Sequence, residues 1–249
     1  MRWSRTVLAI VVASVGCGCS TPTTPAAVYQ PYTCIPASSP GPVSSAPPAP
    51  GTPERIAVIG DSYTSGSPQG GTGDKRWTAV VTGLLNSRGF AVTTDVGAEG
   101  GSGYVHGGNH SGGVFADQVD AAVKPEDKVV VFFGSRNDSR ALEGQMAHAT
   151  CEAFRKAEMA APGAQLLVIG PPWVNASPPP SVLAARDIIR NRSQELGLHF
   201  VDPIADGWFV DRPDLIGSDG VHPTDAGHQY MADKIAPLIQ EILSGQPPA

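Results

Sequence analysis

From position 54 onward the chain alternates short, β-rich apolar runs with longer stretches of helical spacing, and this alternation restricts the fold more than any other feature. The runs at 55–60, 91–96, 128–134, 165–170 and 199–203 have the length and composition of strands. Positions 75–88, 115–123, 142–160, 182–196 and 225–243 read as helices, the last capped at Thr224. Repeated strand-then-helix order implies right-handed crossovers and a parallel sheet covered on both faces. The expected fold is therefore α/β: a three-layer α/β/α sandwich around a central, mainly parallel five-stranded sheet. Ligands of such sheets gather beyond the carboxyl ends of the strands.

Three segments of chemical interest fall at that rim. Ile59-Gly-Asp-Ser62-Tyr-Thr-Ser-Gly66 closes the first strand, Gly134-Ser-Arg-Asn137-Asp138 follows the third, and Asp219-Gly-Val-His222-Pro223 precedes the last helix. Each alone has a bland explanation. Gly-Asp-Ser turns end many strands, because Gly tolerates positive φ and the short polar side chains bond their own backbone. Asp-Gly-Val-His-Pro is equally a turn before a helix. Together the segments supply a nucleophile, a base and an orienting carboxylate. A serine hydroxyl attacks weakly until an imidazole takes its proton, and the imidazole needs an acceptor to fix its tautomer.

On these residues the chain resembles the SGNH hydrolase superfamily, also called the GDSL family, over roughly 55–243 and in the expected block order. The resemblance implies Ser62 as nucleophile, His222 as base and Asp219 as its orienting carboxylate. It also implies an oxyanion hole made by the Ser62 N–H, a glycine and Asn137. In Gly97-Ala-Glu-Gly100-Gly101-Ser-Gly103 the glycine is read as Gly100, with Gly101 and Gly103 as alternatives. Tyr63 departs from the family's name-giving leucine, and both Ser135 and Arg136 separate Gly134 from Asn137 where the family has one residue. Asp61 is expected to brace the nucleophile turn.

The activity so implied is a serine ester hydrolase that removes small acyl groups from an envelope carbohydrate or lipid ester. An acyltransferase with the same covalent intermediate is the alternative. A flavodoxin-like nucleotide or flavin binder competes, since the hydroxyls and amides of 62–66 suit a phosphate, yet it gives His222 and Asn137 no role. No cofactor or metal is expected: His106 and His110 read as exposed polar residues of a Gly-rich loop. Arg136 is expected to pair locally, with an anionic substrate group as the alternative partner. Trp173 and Trp208 are candidates for a pocket wall or for core packing.

Arg2 and Arg5, the apolar run 6–15 and Gly16-Cys17 have the regions of an export signal. Ser14-Val-Gly-Cys17 resembles a bacterial lipobox with Ser in place of the preferred Leu, which marks Cys17 for lipidation, with ordinary signal-peptidase cleavage as the alternative. Positions 20–53 contain no charged residue and are dominated by Pro, Ser, Thr and Ala, the composition of an extended tether. The expected organisation is a signal and lipobox at 1–19, the tether at 20–53, the hydrolase domain at 54–245 and a tail at 246–249. Such an exported chain permits a disulfide between Cys34 and Cys151. The formal net charge is -6, and no Lys/Arg cluster follows the first few residues, which argues against nucleic acid as a partner. Expected partners are an acylated small molecule, glycan or lipid, with the membrane reached only through the N-terminal lipid. A monomer is expected.

Overall fold

The computed structural model describes residues 33–34 and 51–245. The signal region, Cys17, most of the tether and the tail lie outside the described residues.

Five strands form one wholly parallel sheet in the order β2-β1-β3-β4-β5: β1 (Glu54–Gly60), β2 (Val92–Ala98), β3 (Asp127–Phe133), β4 (Gln165–Ile169) and β5 (His199–Val201). Helices α2 (Trp77–Ser87), α3 (Phe115–Ala122), α4 (Glu143–Ala160), α5 (Pro180–Glu195) and α6 (Asp225–Leu243) cover it, and a short α1 (Ser62–Ser65) follows β1. The α/β sandwich expected from the sequence is the fold observed, with element ends displaced by one or two residues. Thr224 caps α6, its hydroxyl accepting the Gly227 N–H at 3.2 Å.

β3 shows why three layers form. Val129, Val130, Val131, Phe132 and Phe133 are all fully buried, as a parallel strand covered on both faces requires. Alternate side chains point to opposite faces. Val129, Val131 and Phe133 join Trp77, Val81 and Leu85 of α2 with Met231, Ile235 and Ile239 of α6. Val130 and Phe132 join Phe115 and Val119 of α3, Phe154 of α4 and Ile189 of α5. Each such side chain contributes roughly 1.5–3 kcal/mol on burial, so the two half-cores hold the sheet rigid beneath its carboxyl rim. Cys151 of α4 is disulfide-bonded to Cys34, whose N–H donates to Glu195 Oε2 at 2.9 Å on α5.

Candidate active site

β1 ends at Gly60 because the chain turns there in a space that admits no side chain: a Cβ on Gly60 would lie 2.3 Å from Thr64 Oγ1. Asp61 caps the following turn, its Oδ1 accepting the Tyr63 N–H at 2.9 Å. Ser62 thereby becomes the first residue of α1, where a backbone N–H has no intrahelical acceptor. A strand end and a cap together present its hydroxyl and its N–H at the rim.

The loop before α6 brings the base to that hydroxyl. His222 Nε2 stands 3.1 Å from Ser62 Oγ, and His222 Nδ1 stands 2.6 Å from Asp219 Oδ2. Asp219 Oδ1 accepts the N–H groups of Val221 and His222 at 2.9 and 3.0 Å. Gly220 makes this tight turn possible with φ at 67°, a conformation that L side chains rarely adopt. The hydrogen bond from His222, first, and those from the two backbone amides hold Asp219 ionised, with its pKa lowered to about 2. An ionised carboxylate only accepts, so Nδ1 carries the imidazole proton and Nε2 is left to accept from Ser62.

The three candidate glycines are separated by their surroundings. A Cβ on Gly100 would lie 3.8 Å from Ser62 Cβ, whereas one on Gly101 would strike the Asn109 side chain and one on Gly103 the Asp138 carboxylate. The Gly103 N–H is also occupied, donating to the His106 carbonyl at 2.8 Å. Of the three, Gly100 alone has Ser62 among the nearest neighbours of its Cβ position.

Two carboxylates shape this Gly-rich loop, and the sequence motifs marked neither for that role. Glu99 accepts from the His110 and Ser111 amides and the Ser111 hydroxyl, and these bonds, the hydroxyl's first, lower its pKa. Asp138 is buried and accepts the N–H groups of Tyr104, Val105 and His106 at 2.7, 3.0 and 2.8 Å. Burial outweighs those bonds and raises its pKa. An acidic residue after a strand carries no local sign that it will reach another loop's backbone.

Asn137 lies among the same groups. Its Nδ2 donates to the Ser102 carbonyl at 2.8 Å and to Asp61 Oδ2 at 3.3 Å. The extra residue in this block is accommodated by Ser135, which is buried and whose hydroxyl accepts the Asn137 N–H at 3.0 Å. Burial, chiefly, raises Asp61 to about 7, the Asp138 charge adding to it and the Tyr63 amide opposing it. Asp61 thus ties the nucleophile turn to Asn137.

Arg136 differs from expectation. Its guanidinium carbon lies 4.3 Å from the centre of the Trp173 ring, and among the described residues it forms no ion pair. A planar cation stacks well on an indole face. Trp208 is a core residue, packed edge-on against Phe133 with ring centroids 6.2 Å apart. His106 Nδ1 bonds the Gly101 carbonyl at 2.8 Å. His228, on α6, is fully buried; burial lowers its pKa to about 4, and its Nδ1 accepts the Trp77 N–H at 3.3 Å.

A parallel sheet of this order, with a serine beyond β1 and an Asp-x-x-His turn before the last helix, defines the SGNH class of α/β hydrolases. The chain belongs to the GDSL-like lipase/acylhydrolase family, whose pattern matches residues 58–230. It is 52% identical over 194 residues to the GDSL lipase Rv0518 of Mycobacterium tuberculosis, covering 76% of this chain and 83% of that protein. The fold is similar to a family two carbohydrate esterase from Clostridium thermocellum solved with cellohexaose, with a TM-score of 0.59 at 20% identity, covering 78% of this chain and 66% of the other. A carbohydrate esterase family 3 protein from Talaromyces cellulolyticus gives a TM-score of 0.56 at 19% identity, covering 77% and 99%.

Proposed function

We propose that this ester hydrolase acts through Ser62, His222 and Asp219. The observation that carries the reading is the continuous hydrogen-bonded line from Ser62 Oγ to His222 Nε2 at 3.1 Å and from His222 Nδ1 to Asp219 at 2.6 Å. Ser62 Oγ attacks the ester carbonyl as its proton passes to Nε2, and Asp219 stabilises the imidazolium that forms. The imidazolium then protonates the departing alcohol. Water, activated by the same nitrogen, releases the acyl group and restores the serine.

Negative charge on the carbonyl oxygen is met by the N–H groups of Ser62 and Gly100 and by the Asn137 amide. At rest the Asn137 amide donates to the Ser102 carbonyl and to Asp61, so serving the oxyanion requires it to release one of these, and the 3.3 Å bond to Asp61 is the longer. One such donor is worth roughly a hundredfold or more in rate.

The substrate class is a small acyl ester of a carbohydrate or lipid in the cell envelope. Support comes from fold neighbours that are carbohydrate esterases, from a relative named as a lipase, and from the partly exposed Trp173 at the rim of β4. Export, with lipid on Cys17, is supported by the signal-like N-terminus and by the Cys34–Cys151 disulfide, a bond characteristic of oxidising compartments.

The test compares the parent protein with Ser62→Ala on p-nitrophenyl acetate, butyrate and octanoate. The expected result is loss of turnover on all three, with acetate or butyrate preferred by the parent. Equal turnover by both proteins would remove Ser62 from the mechanism.

A further inference from the structure

Tyr63 stands where the family's leucine would be, and it does what a leucine cannot. Its side chain is 1% exposed and packs edge-on against Phe133 and Phe209, with centroids 6.3 and 6.1 Å away. From that fixed position the hydroxyl donates to the Val221 carbonyl oxygen at 2.5 Å. Val221 immediately precedes His222, and its carbonyl belongs to the peptide whose N–H donates to Asp219 Oδ1 at 3.0 Å. One peptide plane is therefore gripped at both ends, by Tyr63 at its oxygen and by Asp219 at its nitrogen.

We propose that Tyr63 is a positioning residue for ester hydrolysis, its hydroxyl setting the spacing between Ser62 and His222. The inference rests on the reading of those two residues as nucleophile and base. The connections form a closed circuit. Ser62 is bonded to Tyr63, the Tyr63 hydroxyl to the Val221 carbonyl, Val221 to His222, and His222 Nε2 returns to Ser62 Oγ at 3.1 Å. Two segments 158 residues apart are thus joined by an anchored bond.

Within itself the turn is closed by the Gly217 N–H, which donates to the His222 carbonyl at 2.8 Å; what Tyr63 adds is a bond to the turn from the nucleophile's own element. The side chains of His222 and Asp219 are 28% and 33% exposed, and Gly220 between them confers backbone freedom. A displacement of about 1 Å between reacting groups can cost on the order of a hundredfold in rate. Aligned hydrogen bonds through one peptide also polarise each other, so the Tyr63 hydroxyl strengthens the hold of His222 N–H on Asp219. Leucine at this position would fill part of the same space and leave the Val221 carbonyl without this donor.

The experiment compares the parent, Ser62→Ala, Tyr63→Phe and Tyr63→Leu on p-nitrophenyl acetate, each rate being expressed per folded molecule from circular dichroism. Phenylalanine retains both aromatic contacts, so its melting temperature should stay within a few degrees of the parent. Its kcat should nevertheless fall roughly tenfold, the scale of one lost hydrogen bond, with KM within about twofold. Leucine should lose at least as much kcat and stability besides. Were Tyr63 only a packing residue, phenylalanine would keep the parent kcat and leucine alone would lose it, and that result overturns the proposal. Unchanged hydrolysis by Ser62→Ala would instead overturn the underlying mechanism, so the two failures are distinguishable.

Discussion

Asp138 accepts the Tyr104 N–H at 2.7 Å, tying the segment after β3 to the Gly-rich loop after β2. With the Val105 and His106 amides on its other oxygen, a single buried carboxylate holds three consecutive backbone donors of the loop that carries Gly100 beside Ser62. Loop shape at this rim is therefore a buried electrostatic matter and does not follow from local turn chemistry alone.

Asp138→Ala leaves those three donors without their acceptor. Each unmet buried donor costs about 1–3 kcal/mol, partly offset here by removing a carboxylate that burial disfavours, so a loss near 3 kcal/mol is expected. Asp138→Asn keeps an oxygen for two of the donors and should lose about half as much. Urea unfolding measures both. An alanine variant as stable as the parent would show that the loop holds itself.

The three glycines should respond differently to alanine. At Gly100 the added methyl meets only ordinary contacts, 3.7 Å from Asn109 Nδ2 and 3.8 Å from Ser62 Cβ. Gly100→Ala should fold as the parent does and lose activity because the methyl takes space beside Ser62 that the acyl group would occupy. At Gly103 the methyl would lie 2.4 Å from Asp138 Oδ2, which cannot retreat without releasing its amides. Gly103→Ala should cost about 2 kcal/mol as an overpacked site. Gly101, with φ at 84° and Asn109 at 2.4 Å, falls between them, since the Asn109 side chain is exposed and can swing away. Denaturation midpoints and esterase rates of the three variants check the order, and an unstable Gly100→Ala would contradict it.

Asp61 makes stability depend on pH in a predictable direction. Its folded pKa of about 7 lies above the ordinary 3.8. Between those values the folded carboxyl keeps a proton that the unfolded chain has lost. Stability from this group therefore falls as pH rises from about 4 to about 7 and is level above that window. Asp138, also raised by burial, acts in the same sense. Thermal melts of Asp61→Asn against the parent should show a flatter decline across the window. Parallel curves would mean that Asp61 is ionised throughout.

The Cys34–Cys151 bond closes a sequence separation of 117 residues. Constraining so long a loop in the unfolded chain is worth about 2–4 kcal/mol. Replacing both cysteines by serine should lower stability by that amount and leave kcat unchanged, since neither cysteine bonds to a residue of the catalytic line. Calorimetry together with p-nitrophenyl acetate turnover reports both quantities. A large drop in kcat at unchanged stability would contradict this separation of roles.

Much of the frame was legible because it depends on local signals. The five apolar runs became the five strands, and Thr224 became a cap, since strand burial and capping act over a few residues. α1 has no signal of its own in the sequence, because four residues carry no periodicity. The residues of the rim, Ser62, His222, Asp219, Gly100 and Asn137, follow from block order and resemblance, and Asp61 is legible as a brace of its own turn, while the more distant supports are not. Asp138 reaches the backbone of Tyr104 from 34 positions away, Tyr63 reaches Val221 across 158, and Arg136 lies over Trp173 instead of pairing with an acid. Such contacts are set by how loops fold over a sheet edge, which spacing along the chain does not encode.

The most direct test of the central claim is covalent labelling of the parent protein with a fluorophosphonate, followed by peptide mass spectrometry. One adduct on Ser62, absent from Ser62→Ala and accompanied by complete loss of ester hydrolysis, is the predicted result. An adduct on a different residue, or full labelling with hydrolysis undiminished, would contradict the account.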